Sequence, residues 1–189
     1  GIKGIELYKK YNKKWRYVNT AGDVVGLKTY QNKSIPADSI NEYELIKYMT
    51  PEFREYKLFL PLYDGVRELE VGIDSIASID KAAPSAVKPI VFYGTSITQG
   101  GCASRPGMAH TNIISRKLDM DCINYGFSGN GRMETPIVEL ISEIDARFYV
   151  IECLQNMDSE RVSERVKPLV DIIRTKHPHT PIVLVENMM

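Results

Sequence analysis

Residues 91–101 read VFYGTSITQGG, an apolar run that breaks at Gly94, passes into small hydroxyl residues and ends on two more glycines. A short apolar run closed by a glycine reads as a buried strand. Its hydroxyls then stand at the strand's carboxyl end. Three more runs of the same kind follow: CINY from Cys122, RFYVIEC from Arg147 and PIVLVE from Pro181. Helical stripes lie between them. Ile137, Leu140, Ile141 and Ile144 are spaced for one helix face, with Thr135 as N-cap and Pro136 as first helical residue. Val162, Val166, Leu169, Val170 and Ile173 form a second stripe, which Pro168 is expected to bend or restart. Repeated strand–helix units imply an α/β fold, a parallel sheet with helices on both faces.

Upstream the texture is different. Up to about residue 80 the runs are short and rich in aromatic and β-branched residues, separated by Gly, Asn, Asp and Pro. Tyr56, Leu58 and Leu60 alternate with Lys57 and Phe59, and Leu69, Val71 and Ile73 with Glu68, Glu70 and Gly72. Such alternation predicts antiparallel strands with one buried face, the second pair turning at Asp64-Gly65. Residues 81–89, KAAPSAVKP, have no periodicity and two prolines, the composition of a linker. The expected organisation is a β module over 1–80, a linker over 81–89 and an α/β domain over 90–189.

Composition narrows the partners. The 189 residues carry 24 Lys plus Arg against 24 Asp plus Glu, so no net field draws the chain to nucleic acid or an anionic membrane. No apolar run is long enough for a membrane span. Cys102, Cys122 and Cys153 form no CxxC pair, which indicates neither a zinc site nor a disulfide framework. Asn32-Lys33-Ser34 matches a glycosylation sequon, a pattern too short to carry weight.

Ligands of open α/β sheets sit beyond the carboxyl ends of the strands. Ser96 follows the first strand there, the glycine-rich GFSGNG around Gly129 follows the second, and Gln155-Asn156 follow the third. Ser96 is a candidate nucleophile, and the Gly129 backbone N–H and the Asn156 amide are candidate donors to a developing oxyanion. A phosphate-cradling role for GFSGNG is disfavoured, because its glycine order is not GxGxxG and no lysine follows. Cys153 reads as a small strand hydrophobe. The tyrosines of the first module read as core at strand spacing, with sugar stacking as the functional alternative.

The blocks GTSIT at Gly94, YGFSGNG at Tyr125 and QNM at Gln155 resemble, in order and spacing, the first three blocks of the SGNH (GDSL-type) hydrolases. That resemblance implies a flavodoxin-like three-layer fold and a serine esterase, often acting on acetylated sugars, with no cofactor or metal. By it, Ser96 is similar to the nucleophile, and its own N–H, Gly129 and Asn156 are similar to the oxyanion hole. GIELY and REYKLFLPLYDGV resemble a β-sandwich module fused ahead of SGNH domains in bacterial proteins, which suggests a secreted or periplasmic location. The family's Asp before the serine is Thr95 here, and its third-block glycine and Asp are Leu154 and Met157. Its final Asp-x-x-His block has no counterpart in these residues.

A serine needs a base. His177 and His179 precede the last strand, on the edge opposite Ser96, whereas His110 starts a helix on the same edge. The expectation is that the α/β domain is truncated, with the Asp and His lying beyond Met189. The function that follows is a carbohydrate O-acetyl esterase acting through an acyl-enzyme on Ser96. The alternative is a noncatalytic carbohydrate-binding protein on the same fold.

Overall fold

In a computed structural model of the chain, residues 4–21 and 42–186 are described. The Asn32 sequon lies outside them. Two sheets organise these residues. The larger is parallel, with strands β4 (Ile90–Gly94), β5 (Cys122–Gly126), β6 (Phe148–Glu152) and β7 (Ile182–Leu184) in the order β5-β4-β6-β7. All five residues of β4 are buried, as suits a central strand covered on both faces.

Alternation along the strands divides the core in two. Val91 and Tyr93 of β4 join Tyr149 and Ile151 of β6 in one cluster with Val138 and Ile141 of α3 (Thr135–Ile141) and Leu169 and Ile173 of α4 (Ser159–Lys176). On the other face, Phe92 meets the His110 ring edge-on at the start of α2 (His110–Leu118), and α2 packs on β5. Helices cover both faces, and strand order reverses at β4, so a crevice opens between the loops after β4 and β6. That is the topological switch point of a flavodoxin-like sheet.

The helix stripes hold with changes. Leu140 is 61% exposed and Val138 takes its place against the sheet. The cap of α3 is Glu134, one residue before the expected Thr135, because Glu134 is held extended by bonds from Arg132 N–H and with the Tyr93 hydroxyl. α4 runs as one 18-residue helix through Pro168, with neither a restart nor a break. Asp158 caps it by accepting from Arg161 N–H at 2.9 Å.

The smaller sheet is antiparallel, with β1 (Ile5–Tyr11) between β2 (Lys14–Ala21) and β3 (Tyr56–Phe59). Among the described residues the N-terminal part holds this single sheet, so the second layer of a sandwich is not among them. Tyr8 and Phe59 are buried on one face and Leu7, paired with Leu58, on the other, whereas Leu60 is exposed; the most buried residue of β3 is thus Phe59, not one on the expected Tyr56, Leu58 and Leu60 face. The reason is the neighbour. The face that meets the parallel domain rests on Arg116 of α2, whose guanidinium lies 4.1 Å from the Tyr8 ring centroid and 5.2 Å from that of Phe59. Leu69, Val71 and Ile73 do not form the expected strand: each is about half exposed, because no described strand pairs with them. Irregular, mostly exposed backbone extends from residue 60 to 89, well beyond the expected linker.

Candidate functional site

The break after β4 is built by close backbone approach. Thr95 is buried and extended, and its Oγ1 accepts from Ile97 N–H at 3.3 Å, capping the single-turn helix α1 (Ser96–Gln99). The hydroxyl of Thr95 thus caps the turn that carries Ser96. Ser96 is the first residue of α1, half-buried, with an N–H that no carbonyl takes among the described residues. The turn closes at Gly100, whose φ of 98° suits glycine, and the N–H groups of Gly100 and Gly101 return to the Ser96 carbonyl at 3.0 and 2.8 Å.

The loops after β5 and β6 are stitched onto this turn. Phe127 N–H donates to the Gly94 carbonyl at 2.9 Å, and Thr95 N–H donates to the Glu152 carbonyl at 3.2 Å. Gly131, with φ of 68°, lies so close to Gly94 that a Cβ there would run into the Gly94 carbonyl oxygen. Gly129 has φ of 72°, is exposed, and faces open space where a side chain would be. Asn156 ends a 3₁₀ turn, Leu154–Asn156, and its Nδ2 donates to the Asn130 carbonyl at 2.5 Å. One amide proton of Asn156 is committed to the Gly129 loop and the other is left over. The three expected residues therefore occupy one edge of the sheet, on three loops joined to each other.

Beneath α1 lies a polar layer. Thr98 is fully buried and its hydroxyl donates to the Glu152 carboxylate, itself buried at the end of β6. Asn124, inside β5, donates to the Thr98 carbonyl at 2.8 Å and to Thr111 Oγ1 at 3.0 Å, and accepts from Gly126 N–H. Gln99 accepts from Ser128 N–H at 2.9 Å and donates to the Leu62 carbonyl at 3.1 Å. Sequence reading missed this layer. Its signal was a polar residue inside an apolar strand, Asn124 in CINYG, and a carboxylate at a strand's end, Glu152.

Among the described residues no histidine hydrogen-bonds to Ser96. His110 sits on the Phe92 side, and burial pulls its pKa below the ordinary value, opposed by the Glu152 charge. His177 and His179 line a cavity of about 420 Å³ at the amino ends of the strands, where His177 Nε2 lies 2.9 Å from the Ser142 carbonyl. They are on the opposite edge from Ser96, as expected. Cys153 is fully buried in the core, and its thiol is pushed up to about 12 by burial. It is a packing residue.

Residues 87–189 match the model of the GDSL-like lipase/acylhydrolase family. The chain belongs to that family. Residues 1–79 match a second model, GxDLY, described as the N-terminus of SGNH-hydrolase-type esterases. The GDSL-like fold is shared with a GDSL-like lipase from Bacteroides ovatus ATCC 8483, 37% identical at a TM-score of 0.83 over 96% of this chain and 50% of that one. The chain therefore spans half the length of that protein. A family two carbohydrate esterase from Clostridium thermocellum, solved with cellohexaose, shares the fold at 15% identity and a TM-score of 0.55, over 99% of this chain and 66% of its own. No curated protein matches the chain.

Proposed function

We propose that the chain carries the nucleophile and oxyanion hole of a serine ester hydrolase whose substrate is an O-acetylated carbohydrate. The observation that supports this most is that Ser96, Gly129 and Asn156 stand at one edge of the sheet on three loops bonded to one another. Ser96 Oγ adds to the ester carbonyl while its proton passes to a base. Negative charge builds on the carbonyl oxygen, where each preorganised donor contributes roughly 3 to 4 kcal/mol. Collapse expels the alcohol with a proton and leaves an acyl-serine, which water then hydrolyses to acetate. The carbohydrate substrate rests on the family relationship and on the fold shared with the Clostridium esterase.

The test is Ser96→Ala in a complete version of the protein that also carries the expected Asp and His, with the fold verified by circular dichroism. Turnover of a small aryl acetate should fall by at least about a thousandfold, the residue coming from binding and the remaining donors. Activity within tenfold of the parent would remove Ser96 as nucleophile.

The absence of a histidine bonded to Ser96 among the described residues also keeps a noncatalytic, carbohydrate-binding reading in view. It differs by one measurement: carbohydrate binding without any Ser96-dependent release of acetate.

A further inference from the structure

Residues just after β3 do not run out into solvent. They cross to the crest of the Ser96 turn. Gln99 holds the Leu62 carbonyl with one end of its amide and Ser128 N–H, next to Gly129, with the other. The Leu62 side chain fills the space beside Gly100, and the Tyr63 hydroxyl that beside Gly101. That hydroxyl donates to the Ser96 carbonyl at 3.4 Å. Covalent geometry then keeps the Tyr63 hydroxyl within about 8 Å of Ser96 Oγ. A segment that belongs by sequence to the N-terminal part thus stands beside the Ser96 turn, with Tyr63 only partly buried.

We propose that Tyr63 is a specificity-determining residue, the wall against which the alcohol moiety of the ester, a sugar ring, is placed. The proposal rests on the ester-hydrolase reading above and adds to it the role of the N-terminal part. An acetyl group is small and needs no wall brought from another part of the chain. The alcohol moiety extends beyond the oxyanion hole and meets whatever lines the rim. A tyrosine there offers an apolar ring face bordered by a hydroxyl, which fits the C–H face and hydroxyl edge of a pyranose.

The experiment uses Ser96→Ala protein, which binds without turnover, titrated calorimetrically with an acetylated xylo-oligosaccharide. Adding Tyr63→Ala should weaken binding at least about tenfold, and adding Tyr63→Phe, which keeps the ring, should leave it within about threefold. Equal affinity for the Ala variant, or no binding to Ser96→Ala protein at all, overturns the wall. Hydrolysis of aryl acetate by the parent is followed in parallel. If it is independent of Ser96, the nucleophile assignment fails while a Tyr63 effect on binding still stands. If it depends on Ser96 and Tyr63→Ala binds like its parent, only the wall is lost.

Discussion

Asn156 divides its amide between structure and chemistry. One proton is held by the Asn130 carbonyl, which fixes the side chain before any ester arrives, and the second has no partner among the described residues. Asn156→Ala should therefore lower turnover about 10²- to 10³-fold, because the lost donor acts on charge that exists only in the transition state. A rise in KM with kcat unchanged would show instead that the amide binds substrate. His110 is bound up with folding. Its pKa is lowered mainly by burial, so the unfolded chain takes up the proton first as the pH falls. The contribution is complete above about pH 6.5, the unfolded value, and is lost as the pH falls through the lower folded value. Urea unfolding between pH 8 and pH 5 should show a smaller acid loss of stability for His110→Gln than for the parent; identical slopes would exclude His110 as the source. A thousandfold loss of turnover in the same variant would make it the base.

Among the elements, the loops differ sharply in how they are held. The turn after β4 is pinned by Gly94, Gly126 and Gly131, each too close to neighbouring backbone for a side chain, and the loops after β5 and β6 are bonded to it. The stretch 64–87 is far more open: Leu69, Val71, Ile76 and Ile79 are each half exposed or more. Limited proteolysis should cut first within residues 64–87, before any cleavage in the turn after β4. Mass spectrometry of the early products decides this, and a first cut in residues 95–109 would contradict it. The nicked halves should remain associated under native conditions, since β1 and α2 are joined by contacts that do not pass through the severed stretch.

At the scale of the whole molecule, one carboxylate joins the two sheets. Glu6 is fully buried and accepts from the Tyr8 hydroxyl at 2.6 Å, Arg105 Nε at 2.8 Å and Gly107 N–H at 2.6 Å. Arg105 and Gly107 precede α2, and Ala109 beyond them packs on Gly100 behind Ser96. Glu6→Ala removes every acceptor and leaves a buried N–H unpaired, at a cost of about 2 to 3 kcal/mol, Arg105 being partly able to reach water. Equilibrium urea unfolding checks this, and a loss below about 0.5 kcal/mol would mean the junction is held elsewhere. The chain's own pattern determined a good deal by itself: four parallel strands, their helices, and the placing of Ser96, Gly129 and Asn156 on one edge. Those follow from local periodicity and from the handedness of strand–helix–strand crossovers, which short windows of sequence carry. The failed strand at 68–73, the face of Phe59, the Glu6 junction and the Tyr63 strap were decided only by tertiary structure. Each depends on a partner far away in the chain, 101 residues for Glu6 and Gly107. Alternation names a face but not its neighbour, and a lone glutamate or tyrosine reads as solvated or core until the element that meets it is in place.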